Sequence, residues 1–415
     1  MLPNPYTPGR PAQVLGGRTR ERARIASLLE RVETLGEYAG PLHVFHAPRG
    51  LGKTSLLRSA EREAASRGFA TVWVSATRRG NVAAELTHAL RTSLERLDSI
   101  GSRDLAAFGL HLSKVELQLG VPGAGVRASV ERSRDGGTAP EPVTPAEAPV
   151  SGLESVLRDS AALVRGSGGA GLALFVDEVH AADRAGLGVV LNALQNLDGA
   201  SSAAPLAAMF AGLPNTPEVI IDAATFGERS QWLPLDRLDD DDSAVALVRP
   251  AADAGVDWDH AARRRVVSDA AGYPYFLQLL GSTTWDVAAP DPGAVLELDH
   301  VRAGYRDARE QLGSLFRARW SKASPGQQEF LVAMVELMLE HGTDDVERAG
   351  VARRLGRTTR EISVPRDRLI AQDVIEPTGR GLLRFTMPGF AGFVAEEAGI
   401  DGAERLQAPA RFPEL

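Results

Sequence analysis

The sequence has no cysteine, which excludes disulfides, thiol nucleophiles and thiolate metal sites and makes a reducing compartment the expectation. Lysine is nearly absent as well: three residues, against 43 arginines among the 46 basic side chains. Aromatic residues are only 6% of the chain, and no apolar run approaches the roughly 18 residues of a membrane-spanning helix. The opening Met1-Leu2-Pro3-Asn4-Pro5 lacks the basic and apolar regions of a secretory signal, so a cytoplasmic location without membrane partners is expected. A net charge of −8 argues against a protein that coats nucleic acid over its whole surface, while a local basic face can still exist within it. What is present, 44% hydrophobic and 24% charged residues over 415 positions, describes an ordinary globular chain of two or three domains.

Lys53 stands in Ala47-Pro48-Arg49-Gly50-Leu51-Gly52-Lys53-Thr54-Ser55, a phosphate-binding loop pattern with alanine in place of the usual first glycine. The apolar run Pro41 to His46 predicts a strand before it, and Ser55 onward predicts a helix after it. That order lets Gly50 and Gly52 turn the backbone so that its N–H groups face β- and γ-phosphates, with the helix N-terminus adding partial positive charge. Lys53 would neutralise the same phosphates, Thr54 would supply a hydroxyl ligand to Mg²⁺, and Ser55 a further phosphate donor.

A second acidic element is needed to hold magnesium and position water. Gly171 to Val176 is an apolar run too short for an isolated helix, closed by Asp177 and Glu178. It reads as a strand buried on both faces, as parallel sheets require, with the acids emerging at its carboxyl end. Asp177 is the candidate metal ligand and Glu178 the candidate that polarises the attacking water.

The remaining chain alternates strands and helices, which predicts an α/β class with a doubly wound parallel sheet. Residues 1–16 form an extended, proline-rich arm, and residues 17–238 the nucleotide-binding core, with helices at Thr19 to Leu35, Ala83 to Leu97, Gly152 to Val164 and Arg184 to Leu197. Residues 98–150 read as an insertion, with a possible hairpin from Lys114 to Leu119 and Gly125 to Val130 and a flexible limb from Gly136 to Val150. A helical lid follows over 239–310, then a C-terminal domain over 311–400 and a tail over 401–415.

Asp177-Glu178-Val179-His180 resembles a helicase box, but Ser75-Ala76-Thr77 precedes it, whereas the corresponding helicase motif follows it. A two-lobed helicase is therefore rejected, and His180 is expected on a surface helix. No Asn-Lys-x-Asp guanine-binding pattern occurs. Taken together, these motifs resemble the AAA+ class, more narrowly its STAND-like and prokaryotic origin-recognition-type ATPases, over nearly the whole chain. The resemblance implies a P-loop NTPase core, ATP and Mg²⁺ as ligands, ATPase activity, and a homo-oligomer or a place in a larger complex. Gly17-Arg18-Thr19-Arg20-Glu21 matches the segment that wraps the adenine pocket in that class. Asn215 falls where those proteins sense γ-phosphate, capping of a turn before Pro217 being the other reading. Arg229 falls where they place a finger into a neighbour's site, with an exposed arginine of no role as the alternative. Gly272-Tyr273-Pro274 resembles the Gly-x-Pro of STAND-type lids, against an ordinary helix-helix turn.

From Val351 to Thr386 eight arginines face four acids, a local +4. Three helices and a hairpin predict a winged helix there, with Arg357, Arg360, Arg366 and Arg368 flanking the recognition helix and Arg380 at the wing tip. Double-stranded DNA is one expected partner, through phosphate rather than base contacts, because Pro365 and Asp367 disturb a base-reading helix. The alternative is a STAND-like switch acting on a protein partner, with slow turnover and no DNA.

Overall fold

The computed structural model describes residues 2–12, 14–118, 149–198 and 204–406. Two compact units divide the chain: Thr19–Ala47 with Leu56–Leu235, and Met1–Arg18 with Pro48–Ser55 and Asp236–Leu415.

The first unit is built on five parallel strands, β1 (His43–His46), β2 (Phe69–Ser75), β3 (Gly171–Asp177), β4 (Leu206–Gly212) and β5 (Gln231–Pro234), in the order β2-β3-β4-β1-β5. β3 and β4 are buried at every residue, the reason they read as unbroken apolar runs rather than as alternating patterns. The helices are α1 (Thr19–Leu35), α2 (Lys53–Ser66), α3 (Val82–Glu95), α4 (Ser102–Gln118), α5 (Pro149–Gly166), α6 (Arg184–Asp198) and α7 (Thr216–Ala223). Val82, Leu86 and Leu90 of α3, Leu153 and Leu157 of α5 and Leu187 and Leu194 of α6 join Val72, Leu174 and Phe210 of the sheet in one apolar core. The spacings of four and seven residues put each set on one helix face.

Part of the expected insertion differs from its reading. Lys114 to Gln118, expected as the first strand of a hairpin, is the end of α4. Leu112 and Val115 are buried at helical spacing, and the Glu116 carboxylate pairs with Arg91 at 3.1 Å from the neighbouring α3. Those contacts win over the alternation of Lys114-Val115-Glu116-Leu117, which mimics a strand. The second expected strand, Gly125 to Val130, and most of the limb from Gly136 lie outside the described residues.

In the second unit α8 (Asp240–Asp253), α9 (His260–Ala270), α10 (Pro274–Ala288) and α11 (Leu298–Lys322) follow the core, with β6 (Asp257–Trp258) and β7 (Val295–Leu296) pairing beside them. Then come α12 (Pro325–His341), β8 (Val346–Glu347), α13 (Arg348–Arg354), α14 (Ser363–Ala371), β9 (Ile375–Gly379), β10 (Leu382–Phe385), α15 (Phe390–Glu397) and α16 (Ala403–Leu406). β10 lies antiparallel between β8 and β9. α11 runs through residue 310, where the lid was expected to end, and its Phe316 packs on Phe390 at 5.4 Å between ring centroids.

The N-terminal arm belongs to this second unit. Tyr6 is buried; its hydroxyl donates to the Leu247 carbonyl at 2.6 Å and accepts from the Trp258 indole at 2.9 Å. Gly281 gives the Tyr6 ring its space, because a Cβ there would collide with it. Tyr6→Phe would remove the acceptor of the part-buried Trp258 indole N–H and one donor to the Leu247 carbonyl, so it should lower stability by about 1–3 kcal/mol. Chemical denaturation followed by tryptophan fluorescence measures this, and a loss below ~0.5 kcal/mol would show that water replaces the hydroxyl.

Candidate nucleotide-binding site

The phosphate-loop pattern begins where β1 ends. Ala47 is tied to the sheet by its N–H, which donates to the Gly212 carbonyl at 3.2 Å. Gly50 and Gly52 both have φ +86°, a conformation that favours glycine. Gly50 also sits against the Tyr273 ring, leaving no room for a Cβ. Lys53 opens α2 with only 5% of its surface exposed, and its Nζ donates to the Pro48 carbonyl at 2.8 Å. Thr54 and Ser55 follow in the first turn of the helix.

The loop is stitched along its backbone to other parts of the second unit. The Arg18 guanidinium donates to the Leu51 carbonyl at 2.9 Å, and the Arg18 N–H is held by the Asp242 carboxylate at 3.2 Å. Gly17, at φ +72°, meets the Asp242 side chain so closely that a Cβ would collide with it. The Ala12 N–H donates to Ser55 Oγ at 3.0 Å. The Tyr273 hydroxyl donates to the Arg49 carbonyl, and the Tyr275 N–H to the Gly50 carbonyl at 3.2 Å. Pro274 opens α10 between these two tyrosines, a position where its missing N–H costs nothing. Burial pushes the Tyr273 hydroxyl pKa up, with the Asp373 charge adding to the effect, so it stays a donor.

The Arg49 N–H donates to the Asp373 carboxylate at 2.7 Å. Burial raises the Asp373 pKa, against the Arg49 N–H and the charges of Arg319, Lys53 and Arg49, which favour its ionised form. The Arg49 N–H of the loop thus already meets an acidic side chain, and Lys53 and Arg49 are among the charges that favour its ionised form.

In the first unit, Asp177 closes β3 and is 3% exposed. One of its oxygens accepts the Glu178 N–H at 2.9 Å. Glu178 has φ 54°, a left-handed turn rare outside glycine, which swings the chain sharply off the strand end. Its side chain is about a third exposed and lies 3.4 Å from His180 Nε2. The Leu213 N–H, at 3.4 Å, donates to His180 Nδ1, so the proton of the neutral imidazole sits on Nε2, facing Glu178. His180, expected on a surface helix, is instead packed between the acidic strand end and β4, with its side chain 8% exposed. Asn215 precedes α7 but makes no capping bond, and its Oδ1 is buried with no hydrogen-bond partner. Arg229 is exposed at the end of a short turn, two residues before β5.

The register places the acids relative to β1. Val176 lies level with Phe210, and Phe210 with Val44, so Asp177 falls level with Phe45 two strands away, about 10 Å across the sheet. The carboxyl ends of β1 and β3 thus share one edge of the sheet. Among the described residues no cluster of three or more His, Cys, Asp or Glu could enclose a metal alone.

Arg357, Arg360, Arg366, Arg368 and Arg380 are all outside the buried core. Arg357 pairs with Glu329 at 3.0 Å and Arg366 with its neighbour Asp367 at 2.5 Å. The sequence count does not anticipate those pairings, nor the roles of Asp373, Asp242 and His180. Asp373 and Asp242 meet partners 324 and 224 residues away, a separation that leaves no local signal.

Residues 14–215 match the AAA ATPase domain family, and residues 313–394 match a domain of unknown function (DUF8462). No curated protein matches the sequence. Among solved structures, the chain is similar to the ORC2 protein of Aeropyrum pernix, solved as ADPNP-ADP complexes, at 11% identity and a TM-score of 0.54, covering 93% of this chain and 97% of that one. Lower similarity extends to the RuvB Holliday junction branch migration motor of Thermotoga maritima (15% identity, TM-score 0.43, 93% and 96% covered) and to Cdc6p of Pyrobaculum aerophilum (11% identity, TM-score 0.43, 94% and 97% covered). With a five-stranded parallel sheet, a phosphate-loop pattern after β1 and acids at the end of β3, the chain has the α/β fold of an AAA+ P-loop NTPase.

Proposed function

We propose that this chain binds and hydrolyses ATP and couples its nucleotide state to oligomer assembly and to association with duplex DNA. The observation that carries the reading is the loop itself: two left-handed glycines and a buried lysine at a helix N-terminus. Lys53 and the loop N–H groups bind the β- and γ-phosphates; Thr54 and Asp177 hold Mg²⁺. Bound Mg²⁺ offsets charge on the phosphate oxygens. Glu178 orients and polarises water, with the His180 N–H fixing its carboxylate. Asn215, before α7, is the candidate sensor of the terminal phosphate, to which it would donate through its amide N–H groups.

The DNA part rests on the C-terminal helices and hairpin. Their order, helix, strand, helix, helix and hairpin, supports the winged-helix reading. Among the described residues Arg360, Arg368 and Arg380 make no ion pair, so they are the arginines with charge to offer phosphates. Replacing these three with glutamate should weaken duplex binding and reduce the slope of log affinity against log salt by about 3, one unit per phosphate contact. Fluorescence anisotropy over a salt series measures it. Wild-type protein that neither binds duplex nor changes its ATPase rate when duplex is added would remove DNA from the reading.

The contact of Asp373 with the loop favours a second reading, a switch whose nucleotide state gates a protein partner, with slow turnover. The two readings separate on the basal rate and its response to DNA.

A further inference from the structure

The carboxylate of Asp373 is held at the phosphate loop at the expense of three local preferences. Asp373 ends the turn after α14 at φ 58°, a conformation uncommon outside glycine. It is 1% exposed, although a buried carboxylate loses its hydration. Its Oδ2 accepts the Arg49 N–H, while its Oδ1 is buried with no hydrogen-bond partner. The surroundings over-determine the position: the Asp373 carbonyl accepts from the Arg319 guanidinium at 2.7 Å and from the Thr386 hydroxyl at 2.7 Å. The basic groups facing the carboxylate are Lys53, Arg49 and Arg319, and the Glu376 carboxyl faces it as a like charge. Packing alone needs none of these features, and an asparagine or glycine would satisfy the turn more easily.

Lys53 and the loop backbone are also the groups that a triphosphate needs. A phosphate chain entering the loop would bring several negative charges beside a buried carboxylate that has no water to screen it, and like charges so placed repel strongly. We propose that Asp373 is an internal competitor of the triphosphate, so that docking of the C-terminal helices on the loop and nucleotide binding oppose each other. This rests on the loop being the ATP site. Because coupling between two equilibria is reciprocal, removing the carboxylate must tighten ATP binding by the factor by which ATP loosens the docked segment.

The test uses the full-length protein, a fluorescent ATP analogue displaced by MgATP, and the variants Asp373→Asn, Asp373→Gly and Lys53→Ala. Asp373→Gly removes the carboxylate at a position whose φ suits glycine and keeps the backbone carbonyl that Arg319 and Thr386 hold, so it remains informative if Asp373→Asn folds poorly. Both Asp373 variants are expected to bind MgATP at least about threefold tighter than wild type. In wild-type protein MgATP should raise amide exchange in residues 368–386. A smaller gain, weaker binding, or exchange that MgATP leaves unchanged would overturn the inference. If wild type binds MgATP, Lys53→Ala does not, and the Asp373 variants equal wild type, only the competition falls. If none of the four proteins binds, the nucleotide reading falls instead.

Discussion

Glu178→Gln is expected to bind MgATP as tightly as wild type and to hydrolyse it about 100-fold or more slowly, the usual loss when a positioned base is removed. The substitution is nearly isosteric. It leaves the left-handed turn after β3 and the Asp177 bond to the Glu178 N–H in place, and the glutamine oxygen can still accept from His180 Nε2. What it removes is the negative charge that polarises water. Lys53→Ala acts on the other half of the cycle: it deletes the buried ammonium and the Pro48 contact, so binding itself should fall below detection. Equilibrium dialysis with MgATP and a phosphate-release assay on both variants separate the two roles. If Lys53→Ala binds ATP like wild type, the loop is not the nucleotide site; if Glu178→Gln turns over like wild type, another group handles the water.

The residues of this proposed cycle differ in how visible they are before folding. Lys53 stands out because lysine is scarce and the glycines around it are spaced for a phosphate loop. The acidic strand is visible because a parallel strand with both faces covered must be apolar throughout and can carry charge only at its end. α11 is equally visible in principle, since Val301, Tyr305, Ala308, Leu312 and Phe316 form a stripe at helical spacing, yet its many charged residues hide the stripe. α4 misleads because four of its residues alternate like a strand, while the Arg91–Glu116 pair that settles its conformation joins two separate helices. His180 is one step harder still. Its sequence neighbours say nothing of the Leu213 N–H that fixes its tautomer. Asp373 is invisible: its partner lies 324 residues away, and in the sequence it is one acid among eight arginines that point the reader toward DNA.

Arg229→Ala is expected to lower the ATPase rate by about 10³-fold or more and to leave ATP affinity nearly unchanged, the signature of a guanidinium that acts only on the transferring phosphoryl group. The sheet register says why this arginine would have to serve another chain. Gln231 begins β5 level with His43, at the amino end of β1, and Arg229 lies before it. Asp177 lies level with Phe45 at the carboxyl end, on the far side of β4 and β1. Three strand spacings and two residues of rise separate the levels of Gln231 and Asp177 by about 16 Å, more than twice the reach of an arginine side chain. An exposed Arg229, lying before β5, is therefore remote from Asp177, the proposed metal ligand of its own chain. Two inactive variants should then complement each other: in a mixture, an Arg229→Ala chain keeps its Glu178 and can receive Arg229 from a neighbouring Glu178→Gln chain. Recovered turnover that rises with the product of the two concentrations would establish action in trans. A mixture as inactive as its components, under conditions where analytical ultracentrifugation shows mixed oligomers, would leave Arg229 without a catalytic part.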